Sequence, residues 1–331
     1  MTRQQVAVIE TDSNADAQPD RVEFASDLTG IAALSKEQIE LVLDTAEHFR
    51  EVSQRSIKKV PALRGKTVVN LFFEPSTRTR TSFEIAGKRL SADVQSISAS
   101  TSSVAKGETL LDTARNIEAM APDILVMRHK SAGAADFLAE HCSAAIVNAG
   151  DGAHEHPTQA LLDMMSIKEK FGKLKGLKIA IVGDILHSRV ALSNIYGLQK
   201  MGAKVTLCGP PHLIPRGIQE LGVSVNTDID EVIEWADALN VLRIQRERMG
   251  VGIIPSVREY RDFFGITQER LDTHKKEIVI MHPGPMNRGV EIDSSVADGD
   301  QAIILDQVLN GVAIRMSILY LLLGPDEGEA G

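Results

Sequence analysis

Cysteine is scarce in this sequence: 331 residues hold two, Cys142 and Cys208. That excludes a disulfide framework and predicts two thiols in a reducing compartment, the cytoplasm. Positive charge is in deficit, with 36 Lys and Arg against 45 Asp and Glu and a net charge of -9. Such a surface repels a nucleic-acid backbone, so any anion site must be a local cluster. No uninterrupted apolar run reaches the ~18 residues of a membrane helix, and Met1 to Gln18 has no apolar signal core behind Arg3. Neither membrane insertion nor export is expected. What remains is 43% hydrophobic and 24% charged, enough for two ordinary domains. Residues 1–22, rich in Asp, Asn, Gln, Thr and Ala, are expected to form a disordered tail without chemistry.

Ser35 followed by Gln38 forms a capping-box signature, and Ile39, Val42, Leu43, Ala46 and Phe49 recur at helical spacing. A long first helix is expected there. Short β-branched runs then alternate with amphipathic stretches, at residues 67–73, 94–98, 124–127 and 144–148. A second series follows at 178–182, 204–207, 238–242 and 277–281. This repetition predicts an α/β fold of two doubly wound parallel-sheet domains. The first spans 23–157 and the second 158–304, with a C-terminal helix, 305–323, returning to the first. In open parallel sheets, ligands bind beyond the carboxyl ends of the strands, where helix N-termini point.

Three motifs stand at such ends. The first runs Glu74-Pro75-Ser76-Thr77-Arg78-Thr79 from an apolar strand into a helix. Its hydroxyls, free N–H groups and Arg78 suit a phosphate, although a capped helix with solvated arginines would read the same. The second, Gly150-Asp151-Gly152-Ala153-His154-Glu155-His156-Pro157-Thr158-Gln159, brings His156 to a helix start, where it could donate to a carbonyl oxygen with Gln159 one turn on. No carboxylate or cysteine recurs at ligand spacing, which disfavours a metal, although His154 and His156 keep that option open. The third is Arg128, a cation ending the run Ile124 to Met127, equally compatible with an edge ion pair. A polar loop, residues 101–108, carries Lys106.

With these boxes in this order, the chain resembles the aspartate and ornithine carbamoyltransferases from about Asp27 to Leu323. The resemblance implies transfer of a carbamoyl group from carbamoyl phosphate to an amino acid, without cofactor or metal. It gives carbamoyl phosphate Ser76, Thr77, Arg78, Thr79, Arg128, His156 and Gln159, with Arg78, Thr79, Arg128 and His156 as the catalytic groups. Gly284 and Pro285 join that site; many aspartate enzymes have leucine where this chain has Gly284. Glu74 and Arg248 would hold the loops. It also implies a homotrimer with shared active sites, closing domains, and Lys106 with Ser103 reaching into the neighbouring subunit's site; the loop aligns equally on Ser102. A regulatory chain or a partner enzyme of pyrimidine synthesis stays open.

The second substrate follows from charge. L-Aspartate calls for arginine or lysine, ornithine for carboxylate or thiol partners. The rear half supplies Arg189, then Arg243-Ile244-Gln245, which resemble the aspartate-binding boxes and would act with Lys106. Pro283 follows His282 where ornithine enzymes carry cysteine. The alternatives are a carbamoyltransferase for ornithine or another amino acid, a dinucleotide-dependent oxidoreductase read from Ile179 to Asp184, and a non-catalytic scaffold. The oxidoreductase fails on glycine count, since only Gly183 lies in the turn.

Overall fold

The computed structural model describes residues 22–98, 107–245, 256–274 and 276–324. It divides into two compact units, one of Met1–Leu161 with Asn310–Gly331 and one of Leu162–Leu309. The first contains α1 (Lys36–Gln54), β1 (Thr67–Phe72), α2 (Thr77–Arg89), β2 (Asp93–Ser98), α3 (Leu110–Glu118), β3 (Ile124–His129), α4 (Ala134–His141) and β4 (Ala145–Asp151). Helix α5 (Pro157–Phe171) crosses the boundary. The second contains β5 (Lys178–Val182), α6 (Arg189–Lys200), β6 (Lys204–Cys208), β7 (Ser224–Val225), α7 (Ile229–Trp235), β8 (Ala238–Val241), α8 (Val257–Phe264), α9 (Gln268–His274), β9 (Val279–Met281) and α10 (Ser294–Ala297). Helix α11 (Ile304–Leu323) starts in the second unit and ends in the first.

Both sheets are parallel, in the orders β2-β1-β3-β4 and β7-β6-β5-β8-β9. The central strands are buried along nearly their whole length, which is why they read as continuous apolar runs rather than alternating ones. On one face of the first sheet Leu71, Leu125, Met127 and Ile146 pack with Leu138 and Ala135 of α4 and Ile117 of α3. In the second unit Val182, Leu239, Val241 and Ile280 pack with Val232 and Ile233 of α7.

Ser35 caps α1 through the expected reciprocal box with Gln38. Strand β4 runs three residues past Asn148, because Asp151 still pairs with His129 and bridges Glu155. Strand β7 has two residues, too few for any periodic signal. Helix α11 is by length and composition long and apolar enough to cross a membrane, despite the polar residues that break its apolar run. Yet 72% of its most apolar window is buried inside the fold. In the first unit its polar groups have partners: Arg50 Nε donates to Asn310 Oδ1 at 3.0 Å and Ser317 Oγ to Val42 O at 2.9 Å. This end of α11 lies against α1, the return to the first unit that the sequence predicts.

The segment before α1 is tied down by a buried acid. Ile31 N and Ala32 N donate to the two oxygens of Glu155 at 2.8 and 3.1 Å. A Cβ on Gly30 would stand 2.4 Å from Glu155 Oε1. Gly30→Ala is therefore expected to cost about 1–3 kcal/mol of stability, seen as a lower melting temperature by circular dichroism. An unchanged melting temperature would show that this carboxylate is not fixed.

Candidate active site

Parallel pairing sets Phe72 of β1 opposite Arg128 of β3, and Met127 of β3 opposite Asn148 of β4. The carboxyl ends of three adjacent strands thus lie side by side, about 4.8 Å from strand to strand. Beyond β1 the chain turns through Glu74 and Pro75 into α2. Ser76 occupies the N-cap position, but its side chain makes no capping hydrogen bond. The ordinary capped helix is therefore not what forms here, and the first turn keeps N–H groups that an anion could accept from. Thr77 and Arg78 are exposed at this start and Thr79 is buried.

Arg128 is the central cation of this edge. Its Nη1 donates to Ala149 O of β4 at 3.0 Å, and its Nε lies 3.7 Å from Glu74 Oε2. The guanidinium is thereby tied to the ends of both neighbouring strands, with four-fifths of the side chain covered. Glu74 thus stands against a cation near the end of the adjacent strand.

The end of β4 and the loop that follows it to His156 are built over two buried acids. Asp151 Oδ2 accepts from Gly133 N at 2.7 Å, and its Oδ1 accepts from Asn148 Nδ2 at 2.8 Å and Glu155 N at 3.1 Å. Glu155 is the anchor of the N-terminal segment described above. This scaffold delivers His156, 4% exposed, to the residue before α5, where its carbonyl accepts from Gln159 N at 3.0 Å. His154 Nδ1 sits 3.1 Å from Asp151 Oδ2, so that histidine serves the scaffold. Among the described residues no group of three His, Cys, Asp or Glu could hold a metal.

Sequence reasoning missed Arg315 of α11, which is buried and stands over the Phe83 ring at 5.1 Å. It donates to Ser82 Oγ of α2 at 3.0 Å and to Thr158 Oγ1 of α5 at 3.3 Å. One guanidinium thus links the middle of the helix that opens with the Ser-Thr-Arg-Thr box to the first turn of the helix that follows His156. A polar residue inside an apolar helical pattern gives no signal for this.

In the second unit, β5 and β8 end side by side, with Val182 opposite Val241. Gly183 (φ 124°) follows β5, and a Cβ there would stand 2.8 Å from Leu242 O, which explains the lone glycine of this turn. Ser188 caps α6 by accepting from Ala191 N at 3.3 Å, and Arg189, buried, is its first residue. The buried carboxylate of Asp184 accepts from His187 Nδ1 at 2.8 Å and Gln245 N at 3.4 Å. Gln245 Nε2 donates to His187 O at 3.0 Å. Arg243, half-buried, precedes this link. The unit therefore gathers Arg189, Arg243 and Gln245 at one edge. Next to β8, β9 leads into His282-Pro283-Gly284-Pro285, whose Gly284–Pro285 bond is cis. Gly284 N donates to His282 Nδ1 at 2.8 Å, and Asn287 Nδ2 to Ile244 O at 3.2 Å. Ser102, Ser103, Lys106 and Arg248 lie outside the described residues.

Two open parallel sheets, each with its cations and hydroxyls gathered beyond the strand ends, define a two-unit α/β protein suited to anionic small molecules. Residues 26–169 match the aspartate/ornithine carbamoyltransferase carbamoyl-P binding domain, and residues 175–322 the Asp/Orn binding domain. The chain is 61% identical over 302 residues to the aspartate carbamoyltransferase catalytic subunit of Syntrophotalea carbinolica, covering 91% of this chain and 96% of that one. It is 62% identical over 301 residues to that of Gemmatimonas aurantiaca, covering 91% and 94%. Aspartate transcarbamoylase from Trypanosoma cruzi, in complex with N-(phosphonacetyl)-L-aspartic acid, superposes with a TM-score of 0.81 at 32% identity, covering 89% and 94%. Ornithine carbamoyltransferase from Pyrococcus furiosus gives 0.81 at 28% identity, covering 92% and 100%. The chain belongs to the aspartate/ornithine carbamoyltransferase family.

One further group at this edge titrates. His129, next to Arg128, packs edge-on against Phe73 at 5.1 Å, and its Nδ1 accepts from Ser131 N at 3.0 Å. Burial pushes its pKa below the ordinary histidine value, with Glu74 opposing. The folded protein thus resists protonating His129 while the unfolded chain does not. Stability is intact above the unfolded value of about 6.5 and falls as pH drops through it towards the folded value. His129→Gln, which keeps an acceptor for Ser131 N, is expected to flatten the fall in urea midpoint between about pH 7 and pH 5. An unaltered acid slope would contradict this.

Proposed function

We infer that the chain transfers the carbamoyl group of carbamoyl phosphate to the amine of L-aspartate, giving N-carbamoyl-L-aspartate and phosphate, an early step of pyrimidine synthesis. The observation that carries the reading is Arg128, held between Ala149 O and Glu74 beside an α2 start whose Ser76 is not used as a cap. A hydroxyl-rich helix start and a fixed guanidinium on adjacent strand ends are what a phosphate dianion needs. Relatives at about 60% identity carry the name aspartate carbamoyltransferase catalytic subunit, and the similar Trypanosoma cruzi enzyme has been crystallised with carbamoyl phosphate and aspartate.

On this reading Ser76, Thr77, Arg78, Thr79 and Arg128 grip the phosphate, and Gln159 and the Gly284-Pro285 backbone complete that set. His156, Thr79 and Arg128 donate to the carbamoyl oxygen as negative charge grows there. The amine nitrogen of aspartate adds to the carbonyl carbon. The carbon–oxygen bond to phosphate then breaks, and the departing phosphate takes the proton. Arg189, Arg243, Gln245 and Lys106 hold the two carboxylates of aspartate. Two guanidinium groups beyond β5 and β8, with Pro283 rather than a thiol after His282, favour this dicarboxylate over ornithine.

The reading includes a cytoplasmic homotrimer in which Ser103 and Lys106 serve the neighbouring subunit's site, with or without a regulatory chain. Its support is the family membership and two free cysteines, one with its thiol pushed up to about 12 by burial. Native mass measurement of the purified protein tests the trimer.

Product analysis with each amine tests the reaction: carbamoyl-aspartate is expected to form, and faster carbamoylation of ornithine would overturn the substrate. Arg128→Ala is expected to lower turnover by about 100-fold or more with the circular dichroism spectrum and oligomer mass unchanged. Near-normal turnover would withdraw its role.

A further inference from the structure

Asp163 is fully buried in the second unit's stretch of α5, and the reaction as described does not use it. Its Oδ2 accepts from Asn194 Nδ2 at 2.8 Å and from Asn240 Nδ2 at 3.2 Å, and its Oδ1 accepts from Gln307 Nε2 at 2.7 Å. Gln307 Oε1 in turn accepts from His282 N at 3.0 Å. The three donors sit on separate elements, each linked to a proposed substrate-binding segment. Asn194 is on α6, which opens with Arg189. Asn240 is on β8, three residues before Arg243. Gln307, on α11, holds the first residue of the loop that contains Gly284 and Pro285.

The direction of this relay is fixed by the main chain. A backbone amide only donates, so Gln307 must turn its oxygen to His282 and its NH2 to Asp163. Asn194 and Asn240 also present NH2 groups, so the centre must accept on both oxygens. An amide at position 163 cannot. If it faced Gln307 with its own NH2, two donors would meet there. Turning the Gln307 amide would only move the clash to His282 N. Buried donors left without acceptors cost far more than the hydrogen bond contributes when made.

We propose that Asp163 is a positioning residue for the second substrate, setting Arg189, Arg243 and the loop from His282 to Pro285 in mutual register through Asn194, Asn240 and Gln307. The proposal rests on the functional reading above, and its test separates the two. Asp163→Asn is expected to raise the KM for L-aspartate by about tenfold or more and the KM for carbamoyl phosphate, which meets this relay only through the Gly284-Pro285 backbone, by a clearly smaller factor. The double variant Asp163→Asn with Gln307→Glu restores a donor opposite an acceptor at every link and returns the acceptor to His282 N. It is expected to recover most of the lost affinity for aspartate. A merely structural role would lower the active fraction and leave both KM values alone, and the second substitution would not rescue it. Either parallel changes in the two KM values or absence of rescue overturns the proposal. Amide hydrogen exchange of residues 278–286 gives a readout independent of turnover: faster in Asp163→Asn, restored in the double variant. Were the unmutated protein inactive on aspartate, the functional reading would fall, and unchanged exchange would sink the relay on its own.

Discussion

The first unit is organised around one guanidinium. Arg128 ends a buried strand, donates to a carbonyl of the strand on one side and stands against a carboxylate beyond the strand on the other. The parallel register makes this possible, since Phe72 and Arg128 are paired and β4 follows β3. A one-residue slip would turn Arg128 to the other face of the sheet. The first-unit residues proposed for the phosphate are placed relative to this group: the α2 start lies beyond β1 and the His156 loop beyond β4.

A division of labour runs through both units. Buried acids build the loops. Asp151 and Glu155 shape the turn that carries His156, Asp184 holds His187 and Gln245, and Asp163 collects three side-chain amides. Each accepts from N–H groups that would otherwise be stranded, which is the condition for burying a carboxylate at acceptable cost. The exposed strand ends are left to cations and hydroxyls. Negative charge thus does its work as scaffold inside, and donor groups are left for the edge.

The two-sheet fold was legible because its central strands are apolar runs broken by helical periodicity, and Ser35 with Gln38 announced the first helix. The Ser76 to Thr79, Arg128 and His156 segments were legible because chemistry-bearing residues directly follow such runs. Glu155, Asp163 and Arg315 were not. Each reads in sequence as one polar side chain in a helix or loop, indistinguishable from a solvated face, and its meaning comes from partners far along the chain: Ile31 for Glu155, Gln307 for Asp163, Ser82 for Arg315. Helix α11 shows the converse, since its length and apolarity admit a membrane and only its burial shows what covers it.

The central claim is that one chain offers a hydroxyl and guanidinium edge for a phosphate and a second cationic edge for a dicarboxylate. Calorimetric titration of the purified protein with N-(phosphonacetyl)-L-aspartic acid, which carries both kinds of anion on one molecule, tests it most directly. The account predicts saturable binding in the micromolar range or tighter, weakened when inorganic phosphate or succinate is present. Heat that never saturates, or binding indifferent to both competitors, would contradict it.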